Sequence, residues 1–369
     1  MSELNALNFP LGPELEAAIR QSVEKHEAFC VLDQRTSPRR RAEEIALLGA
    51  TKVTSPQGVE RVDNAEGVDD DIALAILTSG SSGTPKAALH TWTSLEASAR
   101  ITQSTLRGDE PPMWFPCLPP NHIGGLAVIL RSVFSDATLL WGNTSDLESG
   151  ARLGATHISV VRTQLRRHDL SGYEKVLLGG AKPPFEIPDN VLTTWGMTET
   201  GSGVVYNGYA LPEVEIATSN EELLVRTPTL FSRYRTAERP RALGPDGKDD
   251  WFPTGDGATI HDGKLSIKGR LGYVINTGGE KVWPEDLEEV LLTVAGVREV
   301  AVTGIDDPEW GQRVCALVVS EVTNLDEPLR AVAEERIGPW AKPKEIRYVA
   351  ALPRTSNGKL IRASLTHLH

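Results

Sequence analysis

Residues 76–90 read ILTSGSSGTPKAALH. A strand-like apolar run enters Gly80, Ser81, Ser82, Gly83 and Thr84, passes Lys86, and returns to apolar texture at Ala87. Glycines let backbone N–H groups turn inward, hydroxyls add donors, and one lysine adds a point charge, so the stretch predicts a cradle for phosphate. The spacing is not that of a Walker A loop. With that motif's lysine set on Lys86, Pro85 takes the place of the glycine and Ala87 that of the metal-binding hydroxyl. Taken alone, the stretch is also compatible with a serine- and glycine-rich surface turn.

From Ile72 onward, the apolar runs IALAILT, MWFPCL, ATLLWG, HISVV, KVLLGG and VLTTW alternate with the helix-like stretches TSLEASARITQS and IGGLAVILRSVF. Such alternation predicts an α/β fold with buried, largely parallel strands. After Asn207 the pattern shifts to EVEIAT, EELLVRT and KLSIKG, separated by turns such as Gly244-Pro245-Asp246-Gly247, which predicts a small antiparallel region. EDLEEVLLTVAGVREVAVTGI, CALVVS and LRAVAEERIG suffice for a small α+β domain. The expected division is a large domain over 1–271 and a small one over 272–369. Ahead of residue 72, PELEAAIRQSVEKH predicts a helix. Arg39–Arg41 reads as a solvated loop or helix face, without chemistry of its own.

With 40% hydrophobic and 24% charged residues over 369 positions, the composition is that of a soluble globular chain of about two domains. Lys plus Arg is 38 against 50 for Asp plus Glu, a net charge of −12 that repels polyanions, so nucleic acid is not an expected partner. Cys30, Cys117 and Cys315 lie far apart with no C-x-x-C pair, which argues against a disulfide framework and a structural zinc, and fits a reducing cytoplasm. MSELNALNFPLGPELEAAIR lacks a cationic start followed by an apolar core, and no run approaches the ~20 apolar residues of a spanning helix. Neither export nor a membrane span is expected.

Four further segments matter: TWGMTE at Thr194–Glu199, FPTGDG at Phe252–Gly257, Gly269-Arg270 leading into TGGEKVWPEDLEEVL, and PRTSNGKLIR at Pro353–Arg362. Together with residues 76–90, and in this order, they resemble the adenylate-forming superfamily of acyl-CoA synthetases, peptide-synthetase adenylation domains and luciferases. The resemblance runs from about residue 72 to the end. The stretch ahead of it is shorter than in most members, so a shortened N-terminal part is expected. The implied fold is a large domain of mixed sheets with flanking helices and a small antiparallel region, followed by a small mobile α+β domain. The implied reaction has two steps: a carboxylate attacks the α-phosphate of ATP to give an acyl-adenylate and pyrophosphate, and coenzyme A then displaces AMP.

The same resemblance implies roles residue by residue. Thr78, Ser79, Gly80, Ser81, Ser82, Gly83, Thr84 and Lys86 would hold the β- and γ-phosphates. Thr198 would bond the α-phosphate and Glu199 would bind Mg²⁺. Gly179, Gly180 and Ala181 would let adenine approach the backbone, and Trp195, beside Gly196, would stack on it where most members carry tyrosine. Asp256 would take the ribose hydroxyls with Arg270 in support. Lys359, by itself an ordinary solvated lysine, would bridge the attacking carboxylate and the α-phosphate. Gly272, followed by Tyr273, falls at the superfamily's hinge position, and Gly278 and Gly279 would leave room for the pantetheine arm of coenzyme A.

His122, in LPPNHIGGLAVILRSV, falls at the acyl-pocket segment. Arg131 lies nine residues on in an apolar helix pattern, either snorkelling to the surface or answering a second carboxylate on the substrate. Gln164, Gly201 and Ser202 would wall the same pocket. HIGGLAVILRSV and TTWGMTETGSGVVYNG are most similar to the superfamily's short ligases that activate a succinyl-substituted benzoate for menaquinone biosynthesis. The expected partner is therefore a small-molecule carboxylate, and self-association is compatible with this reading. Two alternatives stand beside it: another aryl- or acyl-CoA ligase, and a non-catalytic nucleotide-binding homologue.

Overall fold

The computed structural model describes every residue except 64, 80–84, 184–185, 355–359 and 369. The chain opens with β1 (Leu4–Leu7), α1 (Pro13–Glu24), β2 (Ala28–Val31), α2 (Pro38–Leu48), β3 (Lys52–Ser55) and β4 (Gly58–Arg61). Helix α1 starts on a proline, whose missing N–H costs nothing in a first turn, and buries Leu15, Ile19 and Ser22. Helix α2 carries the arginine run. Arg39 and Arg40 pair with Glu43 and Glu44 one turn on, which is the solvated helix face expected of them. The sequence offered no sign of β1 and β2: every residue of LNAL and AFCV is buried, so neither shows the alternation that marks a strand.

Next come β5 (Ile72–Ser79), β6 (Pro85–Thr91), α3 (Trp92–Leu106), β7 (Met113–Phe115), α4 (Ile123–Phe134) and β8 (Thr138–Leu139). They are followed by α5 (Leu147–Arg152), β9 (His157–Val161), α6 (Arg162–Arg167), β10 (Lys175–Gly179), β11 (Val191–Met197), β12 (Ser202–Tyr206) and β13 (Tyr209–Ala210). Then run β14 (Glu215–Ser219), β15 (Glu222–Arg226), β16 (Arg233–Tyr234), β17 (Phe252–His261) and β18 (Lys264–Arg270).

One seven-stranded sheet has the order β16-β6-β5-β2-β1-β3-β4 and a second the order β13-β12-β11-β10-β9-β7-β8. In the second, β7 through β11 pair in parallel, as the buried apolar runs imply. In the first, β5 and β6 form an antiparallel hairpin whose outer side takes β16. Helix α3 is capped by the Thr91 hydroxyl on the Ser94 N–H and packs on β5, β6 and β12. Helix α4 packs on α3, α1, β9 and β12, with every residue from Gly125 to Ser132 buried. Strands β14, β15, β17 and β18 form a four-stranded sheet in that order.

The chain ends with β19 (Ile275–Thr277), β20 (Glu280–Val282), α7 (Pro284–Leu291), β21 (Val297–Asp307), β22 (Gly311–Ser320), α8 (Asp326–Arg336) and β23 (Glu345–Tyr348). Strand β22 pairs with β21 and β19 antiparallel and with β23 parallel. One face of this sheet buries Val302, Val314 and Ala316 with Leu287, Leu291 and Leu329 of the two helices. The other buries Ala301, Cys315 and Leu317 with Leu365.

By contacts the chain falls into two compact units. The first comprises Met1–Ala217, Leu224–Pro253 and His261–Leu265; the second comprises Thr218–Leu223, Thr254–Ile260 and Ser266–His369. Among the described residues no helix is long and apolar enough to cross a membrane.

Candidate active site

In the first unit the β5–β6 hairpin places Thr78 opposite Lys86 and Ser79 opposite Pro85. Gly80, Ser81, Ser82, Gly83 and Thr84, like Lys359, lie outside the described residues. Lys86 is exposed, and its Nζ sits 5.2 Å from the centre of the Tyr234 ring.

The turn bearing Thr198 and Glu199 follows β11 directly. Gly196 is required there, because a Cβ would lie 2.1 Å from the Ser202 carbonyl oxygen of the neighbouring strand. The fully buried Thr200 hydroxyl locks the turn, accepting from the Met197 N–H at 2.9 Å and donating to the Ser202 carbonyl at 2.8 Å. Glu199 is 4% exposed, with Oε1 accepting from the Tyr234 hydroxyl at 2.8 Å. His90, near the end of β6, donates from Nε2 to the Thr198 carbonyl at 2.8 Å and so ties the β5–β6 hairpin to this turn.

Burial holds His90 neutral, its pKa pushed down from 6.5 to about 4. His157, against the Trp114 ring, is likewise pushed down to about 4, mainly by burial. With both folded values depressed, the unfolded chain takes up protons first. Stability is therefore complete above pH 6.5 and is expected to fall by about 1.4 kcal/mol per pH unit per histidine as pH drops toward 4. Urea unfolding at a series of pH values measures this; a flat profile through that window would contradict it.

His122 is half-buried at the start of α4, with its Nε2 3.5 Å from Asn121 Nδ2. Gln164 turns its Oε1 to the Val161 N–H at 3.0 Å and its amide to Cys117 Sγ at 3.9 Å, linking the ends of β9 and β7. Gly179 ends β10, followed by exposed Gly180 and Ala181, and Trp195 is half-buried on the adjacent β11. Gly201 and Ser202 are buried against α3, where the two hydroxyls of Ser202 and Ser98 meet at 2.8 Å.

Arg131 does not snorkel. It is 4% exposed, its guanidinium lies 4.4 Å from the Trp114 ring centre, and its Nη1 is buried without a hydrogen-bond partner among the described residues. No carboxylate pairs with it among the described residues. Burial draws its pKa below the usual arginine value, the neighbouring Tyr206 opposing.

In the second unit, Asp256 Oδ1 meets Arg270 Nε at 2.9 Å, and Arg270 Nη1 donates to the Thr254 carbonyl at 2.6 Å. Gly272 lies in a short 3-10 turn, Leu271–Tyr273, with open space around it. Gly278 has φ +60° and carries the Trp310 ring, which a Cβ would meet at 2.7 Å; Gly279 beside it faces open space. The Lys344 ammonium lies 3.8 Å from the Trp310 ring centre. Sequence reasoning missed His90, Thr200, Tyr234 and Trp310. The first two stood inside quoted segments. Nothing in the local pattern marks the last two.

Family models for the AMP-binding enzyme and the AMP-binding enzyme C-terminal domain match residues 13–223 and 286–359. The chain belongs to the AMP-binding enzyme family. Within it, the chain is 34% identical to a probable 2-succinylbenzoate–CoA ligase of Mycobacterium tuberculosis, over 87% of this chain and 88% of that one. It is 31% identical to the 2-succinylbenzoate–CoA ligase of Listeria monocytogenes, over 88% and 75%. The solved o-succinylbenzoate CoA synthetase of Bacillus subtilis, in complex with its acyl-adenylate intermediate, superposes with a TM-score of 0.85 at 24% identity, covering 100% of this chain and 88% of that one. The fold is thus the adenylate-forming one that the sequence predicted.

Proposed function

We propose that the chain is an AMP-forming acid–thiol ligase that activates 2-succinylbenzoate as its acyl-adenylate and transfers the acyl group to coenzyme A, a step of menaquinone biosynthesis. The relatives' activity supports the reaction. The observation that carries the substrate is Arg131, a buried cation with no carboxylate beside it among the described residues. An uncompensated guanidinium is costly in an apolar setting, and a substrate keeping a second carboxylate after the first is activated supplies the missing charge.

The chemistry asks for charge stabilisation at a crowded phosphoanhydride and for alignment of two anions that repel each other. Thr78, Ser79, the loop residues 80–84 and Lys86 hold the β- and γ-phosphates. Thr198 bonds the α-phosphate, and Lys359 steers the carboxylate onto it. Glu199 suits Mg²⁺, a hard cation that takes oxygen ligands: its carboxylate is buried and, among the described residues, paired with a hydroxyl rather than with a basic side chain. The bound ion supplies neutralisation of phosphate charge. Asp256 accepts from the ribose hydroxyls while Arg270 fixes its orientation. Gly179, Gly180, Ala181, Trp195 and Gly196 surround adenine, and His122, Gln164, Gly201 and Ser202 border the acyl group. A hinge at Gly272, between domains 1–271 and 272–369, exchanges the adenylating arrangement for one in which Gly278 and Gly279 admit pantetheine. The net charge of −12 fits a small-molecule partner better than nucleic acid, and a cytoplasmic site of action fits the substrates.

Pyrophosphate release with 2-succinylbenzoate, benzoate, fatty acids and amino acids, with and without coenzyme A, tests the reading. Preference for another acid would identify a different acyl-CoA ligase, and release with none would identify a non-catalytic homologue. Arg131→Met is expected to lower kcat/KM for 2-succinylbenzoate roughly 10- to 100-fold, the worth of one charged hydrogen bond of about 1.5–3 kcal/mol. 3-Benzoylpropionate, which lacks the ring carboxylate, should be used equally well by variant and parent. An equal loss on both acids would remove Arg131 from substrate recognition.

A further inference from the structure

The edge strand β16 is two residues long, yet it is fastened on both sides. Ser232 N–H and Arg235 N–H donate to the Leu89 and Ala87 carbonyls of β6 at 2.7 and 2.8 Å. Arg233 pairs with Asp69 at 2.6 Å, and Arg235 Nη1 reaches the Gly67 carbonyl at 2.8 Å. The preceding Phe231 donates its N–H to the Glu199 carbonyl at 2.8 Å and packs edge-on against Tyr234, with ring centres 4.7 Å apart. This stitching holds one side chain, Tyr234, between two others. Its hydroxyl donates to Glu199 Oε1 at 2.8 Å, and its ring lies under Lys86 at 5.2 Å.

We propose that Tyr234 is a positioning residue for magnesium–nucleotide binding: its hydroxyl fixes the Glu199 carboxylate in the orientation that receives the metal, and its ring restrains the phosphate lysine beside it. The inference rests on the reading of Glu199 as the magnesium ligand. A carboxylate with one oxygen engaged by a fixed donor has lost the freedom to rotate, so the entropy of ordering it is already spent before the metal arrives. Partners of this kind around a ligating group typically contribute 10- to 100-fold in metal affinity. The lysine adds to this geometrically. A cation held over an aromatic face is kept close to the strand that bears it, ready for the β- and γ-phosphates.

Tyr234→Phe removes the hydroxyl and keeps the ring, separating the two effects. The test is calorimetric binding of ATP to the full chain, once with magnesium and once with EDTA, for the parent, Tyr234→Phe and Glu199→Gln. In the parent, magnesium should tighten ATP binding. In Tyr234→Phe that metal-dependent gain should shrink 10- to 100-fold while binding in EDTA is unchanged. Glu199→Gln should lose the gain as well. A full gain in Tyr234→Phe alongside a lost one in Glu199→Gln overturns the proposal and leaves the metal ligand standing. A full gain in Glu199→Gln overturns the ligand assignment, and the proposal with it. Thioester formation from supplied acyl-adenylate and coenzyme A does not draw on the metal–phosphate contact, so Tyr234→Phe should retain it. Its loss would mark a folding defect and overturn the assignment of a positioning role.

Discussion

Replacing Lys359 by alanine is expected to lower pyrophosphate release by roughly 10²–10³-fold or more, while thioester formation from supplied acyl-adenylate and coenzyme A continues. Adenylation brings a carboxylate against a polyphosphate, and a cation between them at ~4 Å offers about 4 kcal/mol at the dielectric of a protein surface. The second half-reaction has no such encounter, since the acyl group is already esterified and the nucleophile is a thiol. The ends of the segment bearing Lys359 are fastened. Arg354 and Leu360 form an antiparallel bridge, and the Ile361 N–H donates to the Pro353 carbonyl at 2.9 Å. Assaying both half-reactions on one preparation decides the matter, and equal loss of the two would contradict the assignment.

The second large effect is on stability. Arg362, three residues beyond Lys359, is 12% exposed in its side chain and joins Glu288 through both guanidinium nitrogens at 2.9 Å, Glu285 at 3.2 Å and the Val302 carbonyl at 3.1 Å. Its charge also lies 5.4 Å from the Tyr273 ring, beside the proposed hinge glycine. Burial raises the pKa of Glu285 and of Glu288 even with this cation present. Arg362→Met would leave both carboxylates buried and unpaired, at a cost of about 3–5 kcal/mol. Carboxyls whose folded pKa is raised favour the folded chain below the ordinary value of 4.5 and lose that benefit as pH rises through the folded value. The deficit should therefore be greatest at neutral pH and should shrink under mildly acidic conditions. Denaturant unfolding of variant and parent at two pH values measures it. A deficit below about 1 kcal/mol at neutral pH would show that the carboxylates are relieved by water or by rearrangement.

What could be read from the sequence is chemistry that is local along the chain. Thr78 and Lys86 are hairpin partners, Thr198 and Glu199 are adjacent, and Asp256 meets Arg270 across a short connection, so each cluster stands inside one quoted segment or in two that follow each other closely. Tyr234 and Trp310 escaped because their significance lies in what other segments bring to them: β6 and the Glu199 turn in one case, Gly278 in the other. The burial of Arg131 was equally hidden. Helix α4 is covered along its whole middle, which erases the periodic contrast that would separate a buried position from an exposed one. Strands β1 and β2 were lost for the same reason at shorter length.

The makeup of the second unit bears on how the protein comes into being on the ribosome. That unit draws on Thr218–Leu223 and Thr254–Ile260, yet most of it is Ser266–His369, which is translated after both. Asp256 must therefore wait, after its own synthesis, for companions that emerge later. A nascent or prematurely terminated chain would carry the β5–β6 hairpin without the completed Asp256–Arg270 pair, so that the proposed phosphate and ribose contacts come together only once Arg270 has been made.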